Sequence, residues 1–417
     1  MIKRKYYSEK INSGFDAVPI VVLIGARQVG KTSLMKMHEF EGKSLFLNGQ
    51  DPETYALFQK LSQLEAYLKI YLDQDLQGLL LIDEFQFIPG VSTMLKLLTD
   101  KYEHIKILCS GSSSLDILQT VEESLAGRVR VIEVFSLSFS EYILFNDENL
   151  YRLYESFDLN TPDTAIAAPL IPLLGEYLVY GGLPRAALNK GPEQKLAILD
   201  DIYKTYLLRD VRSYIRNEHF IGFNKLLRML ALQIGNLVNI NELSRESGLP
   251  YRACADYIEL LQQMYIIKLI EPYITNKRSV IGKMKKVFFC DTGIRNMINA
   301  DFGNIEFRSD KGAIFENYVL LELWRNLKPG GSIRFYRTSD GVEVDFVVNQ
   351  VFTQYAIECK YRTLDKPLHS KALIAFSDQE GIDKRFVVNR NLNVVNRNVR
   401  FIQAYLVDRI GENNPEK

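Results

Sequence analysis

Gly25, Gly30, Lys31 and Thr32 stand in the run Gly25-Ala26-Arg27-Gln28-Val29-Gly30-Lys31-Thr32, spaced as Gly-x-x-x-x-Gly-Lys-Thr. Glycines at those two positions let the backbone turn so that its N–H groups face an anion. The lysine reaches β- and γ-phosphates, and the hydroxyl ligates Mg2+. Ala26, Arg27, Gln28 and Val29 complete the cradle, and Ser33 follows at the start of a helix. A second group is Leu79-Leu80-Leu81-Ile82-Asp83-Glu84, an apolar run that ends in two carboxylates. Asp83 is expected in the Mg2+ shell, with Glu84 polarising the attacking water. The two groups together imply binding and hydrolysis of a nucleoside triphosphate, and they leave the base open.

A third constellation lies in the last quarter of the chain. Glu316 falls in a helical stretch, Gly312 to Val319, and Asp345 falls in a strand after an Asp340-Gly341 turn. In Tyr355-Ala356-Ile357-Glu358-Cys359-Lys360 the period of two puts Glu358 and Lys360 on one strand face. By itself a Glu-x-Lys is commonly an exposed strand with a salt bridge. The order Asp, then Glu-x-Lys, with a glutamate on the leading helix, resembles the PD-(D/E)XK nuclease core. That resemblance implies Asp345 and Glu358 as ligands of Mg2+ or Mn2+, Glu316 as an outer ligand, and Lys360 as the group that orients or deprotonates water. Such a fold does not establish cleavage, because the same core also serves as a binding platform.

The first group needs strands that end at a common edge. Ile20 to Ile24, Ser44 to Leu47, Leu79 to Ile82, Ile105 to Cys109 and Val129 to Val134 read as strands alternating with amphipathic segments. This predicts an α/β parallel sheet with its ligand at the strand ends. Ser110, in Ser110-Gly111-Ser112-Ser113, is either a hydroxyl between the acidic pair and the γ-phosphate or an ordinary helix cap. The later order, Leu125-Ala126-Gly127-Arg128 and then Leu137-Ser138-Phe139-Ser140-Glu141, resembles prokaryotic AAA-type ATPases that carry a C-terminal domain of unknown function. The resemblance covers nearly the whole chain and implies ATP with Mg2+. It makes Arg128 a candidate contact to the γ-phosphate, from its own or a neighbouring subunit. Without it, Arg128 reads as a surface arginine.

Residues 150 to 220 read as helical, broken at Gly181-Gly182-Leu183-Pro184, with one helix over Leu196 to Arg216. By the resemblance this is a lid over the nucleotide, with Arg185 and Arg209 as alternative candidates for a phosphate contact. From Phe223 a short helix ending at Gly248, a longer one from Pro250 and a strand at Ile266 to Ile270 resemble a winged helix-turn-helix. Tyr251, Arg252 and Ala253 would stand at the exposed start of the recognition helix. Asp256 and Glu259 on that helix suit a protein partner as well as DNA. The basic wing, Asn276-Lys277-Arg278 and Lys283-Met284-Lys285-Lys286, is the better DNA candidate, or else a solvated hairpin.

Fifty-one basic and 51 acidic side chains cancel in the 417-residue chain, so any nucleic-acid surface must be local. No apolar run approaches the ~20 residues of a membrane span. Cys109, Cys254, Cys290 and Cys359 lack paired spacing, which suits reduced thiols in the cytoplasm and no zinc site. The expected organisation is a P-loop AAA-type domain at 1–145, a helical lid at 146–220, a winged-helix-like domain at 221–300 and a nuclease-like α/β domain at 301–417. Three functions fit it: an ATPase motor or switch, an ATP-gated DNA nuclease, or a nucleotide-dependent regulator that binds DNA or a protein without cleavage. A homo-oligomer is compatible with each.

Overall fold

The computed structural model describes residues 2–112, 125–157, 159, 168–274, 284–368 and 370–411, with side chains of 208–210 excepted. Two compact units result: residues 1–135 with 263–265, and residues 136–262 with 266–417.

In the first unit all five expected strands form: β1 Ile20–Gly25, β2 Ser44–Asn48, β3 Gly78–Asp83, β4 Ile105–Ser112 and β5 Val129–Glu133. They make one parallel sheet in the order β2-β3-β4-β1-β5. Runs such as Ile20-Val21-Val22-Leu23-Ile24 are apolar throughout because helices cover both faces of a parallel sheet. Ile20, Val22, Leu80, Ile82, Ile107 and Cys109 bury against Leu64, Leu68, Leu95 and Leu98 of the crossover helices. Every strand therefore ends at the same edge, where the glycine-rich loop and the Asp83-Glu84 pair emerge. The basic N-terminus forms the helix Lys5–Ala17, which precedes β1.

The second unit joins the helices after residue 136 to a six-stranded mixed sheet. Its strands are β8 Ser332–Arg337, β9 Glu343–Asn349, β10 Gln354–Lys360, β11 Lys384–Asn389, β12 Val394–Asn396 and β13 Val399–Gln403, in the order β12-β13-β11-β10-β9-β8. A two-stranded sheet, β6 Ile267–Ile270 with β7 Lys286–Phe289, precedes it. Tyr177 of the helix Leu170–Tyr180 meets Tyr318 of the helix Lys311–Arg325 edge to face, and the Tyr154 hydroxyl donates to the Tyr405 carbonyl at 2.9 Å. The helices expected as a lid thus share a core with the C-terminal sheet. Glu322, fully buried, accepts from the Phe139 N–H at 3.1 Å and pairs with Arg325 at 2.7 Å.

Two expectations in this unit are corrected. The single helix over Leu196 to Arg216 is α-helical only as part of Pro192–Ile202, then π-helical over Tyr203–Asp210 and 3-10 over Val211–Tyr214. Periodicity cannot resolve such changes of winding, because a few residues of each give nearly the same apolar stripe. The second correction is Lys286. It ends the run expected as a DNA-contacting wing or a solvated hairpin, yet it is 1% exposed and suits neither.

Candidate functional site: a phosphate cradle and a buried acidic cluster

The loop between β1 and the helix Lys31–Lys36 has the backbone that its glycines permit. Gly25 has φ +148°, and a Cβ there would stand 2.2 Å from the Val134 carbonyl oxygen; Gly30 has φ +97°. Lys31 lies under the loop, with Nζ donating to the carbonyls of Gly25 at 2.9 Å and Ala26 at 2.8 Å. Burial pushes its amine down to about 8, against the upward pull of Glu84 and then Asp83. The Thr32 hydroxyl donates to Asp83 Oδ2 at 2.8 Å, and the Ser110 hydroxyl donates to Asp83 Oδ1. Parallel register explains this meeting. Ile82 pairs with Cys109, and Gly25 with Ser112, so Asp83, Ser110 and the loop end at one level.

Glu84 follows β3 in a left-handed conformation, φ 51° and ψ 42°, which costs a residue with a Cβ energy and is typical of functional turns. Its Oε2 accepts from Gln86 Nε2 at 2.5 Å and from the Ser112 hydroxyl at 3.3 Å, while Gln86 also donates to Ser112 at 3.1 Å. The carboxylate is thereby aimed along the strand-end edge. Gln86 carried no recognisable signature in sequence. Neither did Arg4, which is 4% exposed and donates to the Val29 carbonyl of the loop at 3.0 Å and to the Phe135 carbonyl at 3.0 Å.

Thr32 and Asp83 fit a magnesium ion. Their oxygens are already within bonding distance of one another, and the carboxylate is only 8% exposed, so one cation can be shared between them. Arg128 is placed differently. It immediately precedes β5, whose Val129 pairs with Ile20 at the start of β1, and its guanidinium pairs with Asp100 at 2.7 Å. The loop begins five residues further along β1, roughly 17 Å away at ~3.3 Å per residue. The register thus sets the Arg128 backbone at the end of β1 opposite its own loop. Ser113 lies outside the described residues.

The acidic residues of the C-terminal region do come together. Single oxygens of Glu316, Glu343 and Asp345 all lie within 4.8 Å of one another. Asp345 Oδ2 accepts from the Cys359 N–H at 2.7 Å. The antiparallel register of β9 and β10, with Phe346 opposite Ile357, brings Glu358 opposite Asp345. Glu358 Oε1 pairs with Lys360, whereas its Oε2 is buried with no partner among the described residues. Lys286 of β7 places its ammonium on Glu316 Oε1 at 2.9 Å and on Glu343 Oε1.

Burial, and then the Asp345 charge, pushes Glu316 up to about 8 despite Lys286. Burial also pushes Asp345 up to about 6, against the Cys359 N–H and Lys286. For Lys286, burial opposes the charge, but Glu316 and Glu343 outweigh it and hold the amine above its ordinary value. A cluster so rich in carboxylates, with one oxygen orphaned, fits a divalent cation. Glu343 and Lys286 were missed as site residues. Glu343 could have been found two positions before Asp345, on the same face, but nothing local marks Lys286.

The helix Ile240–Ser247, ending at Gly248 with φ +77°, and the helix Tyr251–Gln263 precede the antiparallel pair β6 and β7. Tyr251 and Arg252 are exposed at the second helix's start. Lys285 pairs with Glu271 at 3.0 Å. Asn276, Lys277, Arg278 and Lys283 lie outside the described residues. All four cysteines are free thiols, and no helix among the described residues is long and apolar enough to cross a membrane.

The parallel sheet and its loop have the P-loop ATPase fold, and a second α/β unit follows in the chain. Residues 17–143 match the model of the AAA domain, residues 171–304 a domain of unknown function, DUF8612, and residues 311–406 another, DUF4143. The chain is similar to the uncharacterized protein Rv2008c of Mycobacterium tuberculosis, with 24% identity over 86% of this chain and 74% of that one. It is also similar to the uncharacterized protein MJ1544 of Methanocaldococcus jannaschii, with 27% identity over 79% and 72%. Among solved structures, the Walker-type ATPase PABY2304 of Pyrococcus abyssi aligns with a TM-score of 0.48 and 15% identity, over 72% of this chain and 96% of that one.

Proposed function

We propose that the protein is a Mg2+-dependent ATP hydrolase acting as a motor or switch for a DNA- or protein-binding C-terminal region. The observation that carries this reading is the convergence of Lys31, Thr32, Asp83, Glu84 and Ser110 at one edge of a parallel sheet. Lys31 leaves its loop carbonyls for the phosphates, whose charge replaces the solvation it lacks. Thr32 and Asp83 hold Mg2+, which neutralises phosphate charge when bound. Glu84, held by Gln86 and Ser112, orients and accepts a proton from the attacking water. Ser110 fixes the second oxygen of Asp83. Arg128 serves a neighbouring subunit if the protein assembles.

Paired variants test the assignment. Glu84→Gln is expected to retain ATP binding and lose turnover by ~100-fold or more, the usual scale of a general base. Lys31→Ala is expected to lose both. Wild-type-like turnover in Lys31→Ala, measured by phosphate release, refutes the ATPase reading.

A second reading concerns the C-terminal cluster, and the orphaned Glu358 oxygen favours it. We propose that Asp345 and Glu358 hold Mg2+ or Mn2+, with Glu316 as an outer ligand, and that this surface meets a phosphodiester, with Lys360 positioned for water activation. Incubation with DNA, ATP and Mg2+ or Mn2+ tests cleavage. Absence of cutting, or cutting that survives both Asp345→Ala and Lys360→Ala, rejects the nuclease. Binding that weakens steeply with salt would then support a regulator that contacts DNA without cutting it.

A further inference from the structure

Three carboxylates crowd the C-terminal cluster, Glu316, Glu343 and Asp345, and a fourth, Glu358, adds its charge beside Asp345. Two of them share the Lys286 ammonium, which is supplied by β7, outside the six-stranded sheet. Lys286 is buried as deeply as an apolar core residue, and Arg337 braces the other oxygen of Glu343 at 3.1 Å from the exposed rim. A lysine is almost never buried so completely unless its charge is matched, and here it is matched twice. The other half of the cluster is built differently. Asp345 is oriented by a backbone N–H, and Glu358 keeps one buried oxygen without a partner.

From this asymmetry we propose that Lys286 is a resident cation filling one of two cation positions in the cluster, so that the site takes a single divalent ion between Asp345 and Glu358. The inference rests on the metal-binding reading above and adds the number and place of the ion. Charge supports it. Lys286 and Arg337 match Glu316 and Glu343, whereas among the described residues Asp345 has no cation paired to it and Glu358 meets Lys360 through one oxygen only. A second ion beside Glu316 and Glu343 would have to displace the ammonium into a core with no other acceptor for it among its described contacts. Metal-ion chemistry in this site is therefore one-ion chemistry, with a fixed ammonium in the place of a second metal.

The test counts ions. The full chain in an Asp83→Asn background, without nucleotide, is titrated with Mn2+ by calorimetry, and bound Mn2+ is counted by electron paramagnetic resonance. One ion is expected, and it should be lost in Asp345→Asn. Lys286→Met and Lys286→Gln are each expected to bind two ions, and Mn2+ should raise their melting temperatures more than that of the parent. If either variant is unfolded alone, folding on addition of Mn2+ is the same result, because the ion then replaces the ammonium. Two ions in the parent, or one ion in a folded Lys286 variant, overturns the inference and leaves the metal-binding reading standing. Variants that stay unfolded with Mn2+ overturn it too. No Mn2+ in any form removes both.

Discussion

The buried lysine of the phosphate cradle makes nucleotide affinity depend on pH in a calculable way. Without ligand, Lys31 is held at about 8 because burial outweighs the pull of Glu84 and Asp83. A bound triphosphate adds negative charge at the amine and returns its affinity for protons at least to the ordinary 10.5. Binding therefore favours the protonated form, and the sign follows: affinity is level below about pH 7 and falls as pH rises through about 8. At pH 9 roughly nine-tenths of unliganded Lys31 is neutral, so affinity is about tenfold weaker than at pH 7, or ~1.4 kcal/mol. Calorimetry with Mg2+-ATP in buffers of different ionisation enthalpy reads the same effect directly. Uptake of about 0.9 proton per nucleotide at pH 9 and about 0.1 at pH 7 is expected. Affinity that stays constant from pH 7 to 9, with no proton uptake, would mean that Lys31 is already an ordinary charged lysine and would refute the reasoning.

Gly25→Ala should lower the melting temperature and abolish nucleotide binding, since its Cβ would stand 2.2 Å from a backbone oxygen at positive φ. A cost of at least ~2 kcal/mol is expected by denaturant titration, and an unchanged midpoint would contradict the geometry. Arg128→Ala should leave ATP affinity within about twofold and stability within ~1 kcal/mol, because it removes a surface pair with Asp100 and a long exposed contact to the Ala126 carbonyl. Loss of turnover only at concentrations where the chain self-associates would place this arginine at a neighbour's nucleotide; loss of ATP affinity in dilute monomer would contradict its position at the far end of β5.

The sequence by itself determined the nucleotide-binding edge almost completely. Short apolar runs rich in β-branched residues and bounded by glycine and charge suit strands buried on both faces, and a parallel sheet aligns their ends, so that Thr32, Asp83 and Ser110 meet. Likewise, period two was enough to put Glu358 beside Lys360. Charges whose partners are remote in sequence were not legible. In sequence Arg128 is a surface arginine to which only a family resemblance gives a phosphate, and the register of β1 and β5 sets its backbone at the end of the sheet opposite the loop. Arg4 and Gln86 gained roles only from the chain folded around them. Lys286 is the clearest case, since in sequence it ends a basic run and in the fold it lies inside an acidic core. Hydrophobic periodicity is local, and the sequence carries it openly. The partner of a buried charge is chosen by tertiary packing, and only the folded chain reveals it.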